Sequence, residues 1–303
     1  MIKDQKSINI KLGTRKSPLA LVQAGQVRDL LLAVHKDITV EIVHIVTSGD
    51  KFISQPLTEI GGKGLFTKEI EDGLLDGALD IAVHSMKDMP TILPQGLIIG
   101  AMLKREDPRD MLIGKGIKSL ADLPQGAVFG TSSLRRAAQV KISRPDVQIV
   151  PFRGNVQTRL DKLSHGEAQA TMLAKAGLKR LALDNIDGAV LEVEEFLPAI
   201  AQGAIGIECR EDDIRIRELL KPLADTDTMI AVNCERAFLR VLDGSCRTPI
   251  SGYAQIERGN IYMRGLIAEP DGSSYKQAEL RGDVKDSNYI GVEVGNIIKK
   301  GKS

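Results

Sequence analysis

Short apolar runs alternate with amphipathic stretches along most of this chain. Ile8 to Leu12 has the composition of a strand. It passes through Gly13-Thr14-Arg15-Lys16 to Ser17 and Pro18, an N-cap residue followed by proline at the first helical position. Apolar residues then recur at helical spacing to about Ala33. Val40 to Val46 reads as a second strand, and the glycine-rich loop Gly61-Gly62-Lys63-Gly64 precedes a helix from about Thr67 to Asp76. A third strand, Asp80 to His84, runs into Ser85-Met86-Lys87-Asp88-Met89-Pro90. After the turn-rich stretch Glu106 to Asp110 the pattern repeats. Strands over Ala127–Gly130, Val147–Val150 and Gln169–Ala174 lead into helices from Leu134, over Asn155–His165 and around Leu178–Leu183. Such alternation predicts α/β architecture, with parallel or mixed sheets and right-handed crossovers.

Gly203 to Cys209 is expected to form one more buried strand, followed by a short helix near Arg215–Leu220. The character then changes. An amphipathic helix from Thr226 to Leu242 leads to strands beginning at Ile250, Asn260 and Ser274, separated by Arg258-Gly259 and Pro270-Asp271-Gly272 turns, and to a last helix over Ser287–Lys300. This remainder reads as a small α+β domain, so the 303 residues are expected to hold three domains.

Composition narrows the function classes. With 3% aromatic residues, no Trp and a net charge of +1, the chain has neither the stacking platforms nor the global basic field of a nucleic-acid binder. The first residues are charged and lack an apolar signal core, and no apolar run is long enough to span a bilayer, so a cytoplasmic protein without a membrane partner is expected. Cys209, Cys234 and Cys246 are odd in number and widely spaced, which fits no disulfide framework. His35, His44, His84 and His165 are scattered, and no metal is expected.

Position makes the basic residues informative. Arg15, Lys63, Lys87, Arg135, Arg136, Arg153, Arg159 and Arg180 fall at predicted strand exits, in glycine-rich loops or in the turns that follow. Ligands of open α/β sheets bind outside the carboxyl ends of the strands, so these side chains are expected to line a cationic cleft for a polyanion. Gly130-Thr131-Ser132-Ser133-Leu134-Arg135-Arg136 is the sharpest case: a strand gives way to a helix whose first N–H groups lack intrahelical partners. The pattern alone fits phosphate as well as carboxylate. Gly62-Lys63-Gly64 lacks the rest of a P-loop, and no G-x-G-x-x-G is complete. Asp88 reads either as a catalytic carboxylate or as a turn aspartate beside Pro90. Cys209 and Cys234 fall on apolar faces, whereas Cys246 lies in a predicted loop beside Arg247 and is the candidate nucleophile or attachment point.

Several motifs together give a specific resemblance: Thr14-Arg15-Lys16-Ser17-Pro18-Leu19-Ala20, Gly61 to Phe66, His84-Ser85-Met86-Lys87-Asp88, Arg105 to Asp110, Gly130 to Arg136, Arg153-Gly154-Asn155 and Gly203 to Glu208. Over nearly its whole length the chain resembles the porphobilinogen deaminases, also called hydroxymethylbilane synthases. The resemblance implies a monomeric cytoplasmic transferase of haem biosynthesis that joins four porphobilinogen molecules head to tail and releases ammonia at each addition. It implies a dipyrromethane cofactor on Cys246 through a thioether, with Asp88 as the catalytic residue assisting ammonia loss through an azafulvene-like cation. Ser85, Lys87, Thr131, Ser133, Arg135 and Arg136 would bind the cofactor, and Arg15, Ser17, Lys63, Arg153, Arg159 and Arg180 the substrate carboxylates. The implied fold is two α/β domains like those of periplasmic binding proteins, 1–103 with 203–221 and 104–202, plus a small α+β domain, 222–303, that carries the cysteine. Arg247 departs from the smaller or uncharged residue that many members have after that cysteine. A two-lobed binding protein that closes on an anion without chemistry is the competing reading, and Cys246 with its extra domain separates the two.

Overall fold

The computed structural model describes residues 8–48, 67–183, 185–243 and 248–301. In chain order the strands are β1 (Ile8–Arg15), β2 (Ile38–Ile45), β3 (Ile81–Ser85), β4 (Leu97–Met102), β5 (Asp110–Ile113), β6 (Val128–Gly130), β7 (Gln148–Val150), β8 (Ala170–Ala174), β9 (Ala189–Val190), β10 (Ile205–Arg210), β11 (Ile250–Glu257), β12 (Asn260–Ala268) and β13 (Tyr275–Asp283). The described helices are α1 (Pro18–Val34), α2 (Lys68–Leu75), α3 (Leu134–Ser143), α4 (Val156–Ser164), α5 (Lys175–Arg180), α6 (Ile214–Leu220), α7 (Thr226–Val241) and α8 (Ser287–Lys300). They group into two compact units, Met1–Arg105 with Ala204–Met229, and Glu106–Gly203 with Ile230–Ser303.

The first unit is built on a five-stranded sheet of order β2-β1-β3-β10-β4. β1 runs parallel to β2 and β3, with Gly13 beside Ala82, whereas β10 is antiparallel to β3, with Ile205 beside Ser85. Strands buried on both faces need continuous apolar runs, and β3 and β10 supply them. Ile10, Leu12, Ile81, Val83, Ile205 and Ile207 close one core with Val27 and Leu31 of α1. On the other side Ile70 and Leu74 of α2 pack with Leu79, Ala82 and Leu97.

The second unit contains a sheet of order β7-β6-β8-β5-β9. β6 is parallel to β7 and β8, and β5 is antiparallel to β8 with Asp110 beside Ala174. Phe129, Val140, Val147, Met172 and Phe196 fill its core. The same unit holds the three-stranded antiparallel sheet β11-β12-β13, and Ala138 of α3 packs with Leu197, Leu266 and Ala268. α8 lies close to α7: a Cβ on Gly291 would come within 2.1 Å of the Cys234 carbonyl oxygen.

The α/β class with a small antiparallel C-terminal part is as the sequence pattern predicts. Three strands differ from expectation. The turn-rich reading of Glu106–Asp110 misses that Asp110 opens β5, and β4 and β9 have no counterpart in the predicted pattern. The helix expected around Leu178–Leu183 begins at Lys175 and ends at Arg180. Ala182 adopts φ 55°, and the Leu183 N–H donates back to the Leu178 carbonyl at 2.9 Å, a left-handed C-terminal stop.

Candidate active site

In the first unit, the parallel pairing of β1 with β3 delivers both strand exits to one edge of the sheet. Arg15 ends β1. Ser17 then caps α1, its Oγ accepting from the Ala20 N–H at 3.3 Å, and Pro18 opens the helix. Arg15 and Ser17 are both half-buried. At the exit of β3 the chain makes a single 3-10 turn, Met86–Asp88. Met86 is 1% exposed and its N–H donates to the Ala204 carbonyl at 3.0 Å. Gly206 makes room for it, since a Cβ there would sit 2.1 Å from the Met86 sulfur. A buried methionine thus pins a turn on which Lys87 and Asp88 are exposed.

The residues just before the turn are fixed from beneath. Ser85 Oγ lies 2.8 Å from Gln23 Nε2 of α1, and the buried His84 Nε2 lies 3.0 Å from Glu208 Oε2. Glu71 of α2 is also buried. Loss of solvation, reinforced by the charge of Glu208, raises its pKa above the ordinary 4.5, against opposing influences from Thr67 and His84.

In the second unit, the exits of β6, β7 and β8 and the start of β5 share one edge. Gly130 ends β6 and admits the ring of Phe152, which a Cβ would meet at 2.5 Å. Thr131 is buried; its N–H donates to the Val150 carbonyl at 2.9 Å, and its Oγ1 accepts from the Ser133 N–H at 3.1 Å. Ser133 caps α3, its Oγ accepting from the Arg136 N–H at 3.4 Å.

Arg135 and Arg136 turn inward. Arg135 donates from Nη2 to Asp110 Oδ2 at 2.6 Å and from Nη1 to the Leu197 carbonyl at 2.7 Å. It also lies 5.6 Å over the Phe196 ring. Arg136 donates from Nη2 to Asp110 Oδ1 at 2.8 Å and from Nη1 to the Met172 carbonyl at 2.8 Å, and its Nε is buried with no partner. Asp110 is fully buried. Burial alone would raise its pKa, but the two guanidiniums hold it far below the usual carboxylate range. The carboxylate that these arginines hold is thus the protein's own, at a strand start that the sequence reading took for a turn.

Arg153 follows β7 and is half-buried. Asn155 caps α4, accepting from the Thr158 N–H at 2.9 Å, and Arg159 donates from Nε to the Gly154 carbonyl at 3.0 Å. Arg180, at the end of α5, donates to the Gly203 carbonyl at 2.8 Å. The first unit therefore gathers Arg15, Ser17, Ser85, Lys87 and Asp88, and the second gathers Thr131, Ser133, Arg135, Arg136, Arg153 and Arg159. Lys63 and Cys246 lie outside the described residues. Cys209 and Cys234 are buried core thiols pushed up to about 11 and about 12 by loss of solvation. Among the described residues no group of three or more His, Cys, Asp or Glu side chains forms a metal site, and no helix is long and apolar enough to cross a membrane.

Asp110, Gln202, Gln23 and the His84–Glu208 pair escaped the sequence-based site reading. For Asp110 one signal was available: it directly precedes the apolar run Met111-Leu112-Ile113, where an ionisable residue entering a strand calls for a buried partner.

These sheets, with hydroxyls, helix N-termini and cationic side chains at their strand exits, define an α/β protein equipped to bind anions. Residues 10–218 match the family model described as porphobilinogen deaminase, dipyromethane cofactor binding domain, and residues 229–300 match the porphobilinogen deaminase C-terminal domain. The chain is 54% identical to a chloroplastic porphobilinogen deaminase of Oryza sativa subsp. japonica, over 96% of this chain and 83% of that protein. It is 51% identical to one of Pisum sativum, over 96% and 81%. The chain belongs to the porphobilinogen deaminase family. Similar solved folds include the periplasmic aliphatic sulphonate binding protein SsuA from Escherichia coli, 14% identical with a TM-score of 0.41 over 78% of this chain and 70% of that one. CbnR, a LysR family transcriptional regulator, is 12% identical with a TM-score of 0.46 over 73% and 71%.

Proposed function

We propose that this chain is a hydroxymethylbilane synthase: it condenses porphobilinogen head to tail into a linear tetrapyrrole and releases one ammonia per addition. Family membership across both matched segments carries this reading. Each pyrrole bears acetate and propionate arms, and the strand-exit groups of each unit are of the kind that binds carboxylates.

The residues present fit a dipyrromethane. The α3 entrance offers the Thr131 and Ser133 hydroxyls and first-turn N–H groups that have no intrahelical acceptor. Beneath it, two buried guanidiniums share a single carboxylate, which leaves a net positive charge and an orphaned Arg136 Nε. When bound, the dipyrromethane supplies the pyrrole end that the first porphobilinogen extends. Thr131, Ser133, Arg135, Arg136, Ser85 and Lys87 would hold it, Arg135 and Arg136 chiefly by fixing the α3 entrance. Arg15, Ser17, Lys63, Arg153, Arg159 and Arg180 would bind substrate carboxylates. Asp88, exposed on a pinned turn, would accept hydrogen bonds from pyrrole N–H groups and balance the positive charge that develops as the carbon–nitrogen bond to the leaving ammonia breaks. Cys246 is proposed as the thioether attachment point, a reading supported by the burial of the other two cysteines.

The purified chain given porphobilinogen should release ammonia in step with substrate loss and form hydroxymethylbilane; unconsumed substrate would overturn the reading. Intact mass should exceed the sequence mass by a dipyrromethane and lose that increment in Cys246→Ser, whereas active parent protein with an unmodified Cys246 would refute the attachment. We further propose a monomer acting in haem biosynthesis in the cytoplasm. The plant relatives carry chloroplastic names, so cell fractionation is the deciding test of compartment, and sedimentation that of the monomer.

A further inference from the structure

The cluster under the α3 entrance does not balance in charge. Arg135 and Arg136 are 6% and 5% exposed, Asp110 is fully buried, and each guanidinium donates to a different oxygen of that one carboxylate. Gln202 is 1% exposed and donates from Nε2 to Asp110 Oδ1 at 2.9 Å and to the Pro108 carbonyl at 2.7 Å, so it adds a hydrogen bond but no charge. Two cations and one anion leave the cluster at +1. Carbonyl oxygens satisfy both Nη1 groups without neutralising them. Uncompensated buried charge is costly, and here it lies under a helix N-terminus whose dipole adds the same sign.

We propose that Asp110 is a specificity-determining positioning residue. As the resident counterion of Arg135 and Arg136, it fixes both guanidinium planes and sets the α3 entrance at a single residual positive charge, matched to one monoanionic carboxylate rather than to a dianion. The inference rests on the proposed function, because it takes a pyrrole carboxylate arm as the natural occupant. Geometry supports the positioning half: both Asp110 oxygens are engaged, and the pairing of Asp110 with Ala174 fixes them at the edge where α3 begins. Charge count supports the specificity half. Replacing Asp110 by Asn keeps the size and, through the single amide oxygen, the Arg136 and Gln202 contacts, but it sets an amide N–H2 against the Arg135 donor and raises the cluster to +2, which favours divalent anions.

The test is steady-state turnover of porphobilinogen by the full-length protein, with sodium sulfate or sodium acetate added at constant ionic strength. Asp110→Asn should raise KM for porphobilinogen and tighten inhibition by sulfate relative to acetate by about tenfold or more, the scale on which buried charge pairs act. A purely structural aspartate would lower stability and leave the sulfate-to-acetate ratio at its parental value, and that result overturns the proposal. Should Asp110→Asn fail to fold, the double variant Asp110→Asn/Arg136→Met, which returns the cluster to +1, should show the parental ratio; a sulfate-selective double variant overturns the proposal. Asp110→Glu keeps the charge and displaces the carboxylate, so its KM should rise with the anion ratio unchanged, and an unchanged KM counts against positioning. A parent chain without turnover would instead refute the proposed function, so the two failures are distinguishable.

Discussion

Both α/β units place their charged groups where parallel strands end and helices begin, yet they do so in opposite ways. In the first unit the fixed parts are neutral or lie behind the exit: Met86 over Gly206, Gln23 against Ser85, His84 against Glu208. Lys87 and Asp88 stand exposed above them. In the second unit the charges themselves are the fixed part, since Arg135, Arg136 and Asp110 are buried together. An exposed carboxylate on a pinned turn suits chemistry, because it can meet a reacting group without rearranging the core. A buried ionic cluster suits positioning, because its removal leaves charge without a partner.

The largest expected effect falls on rate alone. Asp88→Asn should lower turnover on the order of 10²- to 10⁴-fold, the range for a positioned acid, base or charge-balancing group. It should leave the thermal midpoint unchanged, because the side chain is exposed. Ammonia release alongside a melting curve checks both halves; a large loss of stability would show that Asp88 holds its turn together and is structural.

Asp110→Ala should do the reverse. Stripping the shared counterion from two buried guanidiniums is expected to cost about 3–5 kcal/mol of folding stability, the typical penalty for breaking a buried ion pair. Urea unfolding measures it, and a loss below about 1 kcal/mol, the level of exposed pairs, would show that the cluster is open to solvent.

The contrast extends to pH. The Asp110 carboxyl is depressed from its ordinary 3.8, so its contribution is present above that value and is lost as pH falls toward the folded value. Glu71 in the first unit is raised from 4.5, mainly by burial, so its folded state holds the proton more tightly: stability is full below 4.5 and is lost as pH rises through the raised value. Glu71→Gln should therefore unfold at higher urea than the parent at pH 7 and lose that advantage at pH 4. Equal midpoints at pH 7 would show that the neighbouring Thr67 and His84 already compensate the buried charge.

What the sequence made legible follows from what is local. Ser17-Pro18 announces a helix start by capping chemistry, and the strand-to-helix change after Gly130 places another N-cap at Ser132 or Ser133. The structure begins α1 after Ser17, α3 after Ser133, and α4 after Asn155, where a helix over Asn155–His165 is expected. The apolar alternation gives the α/β class for the same reason. Partnership between distant positions is not legible: Arg135 and Arg136 are neighbours in sequence, and only the antiparallel return of β5 reveals that Asp110, twenty-five residues upstream of Arg135, answers both. Glu208 is likewise 124 residues from His84. The helix expected around Leu178–Leu183 runs instead over Lys175–Arg180, with Gly177 buried inside it.

The smallest effect gives the finest comparison, because each unit places one capping serine after a strand exit. Ser17 Oγ accepts from the Ala20 N–H at 3.3 Å and Ser133 Oγ from the Arg136 N–H at 3.4 Å. Both contacts are long, so Ser→Ala at either position should cost toward the lower end of roughly 0.5–2 kcal/mol. Glycine is tolerated at an N-cap at a loss of only a few tenths of a kcal/mol, and it removes the hydroxyl as completely as alanine does. Ser133→Gly and Ser17→Gly should therefore melt close to the parent while raising KM for porphobilinogen or reducing the mass-detected dipyrromethane, if each hydroxyl reaches a ligand carboxylate as proposed. A KM that follows stability, disturbed in the alanine variants and restored in the glycine ones, would assign these serines to capping alone. It would then leave anion recognition to the backbone N–H groups and the guanidiniums.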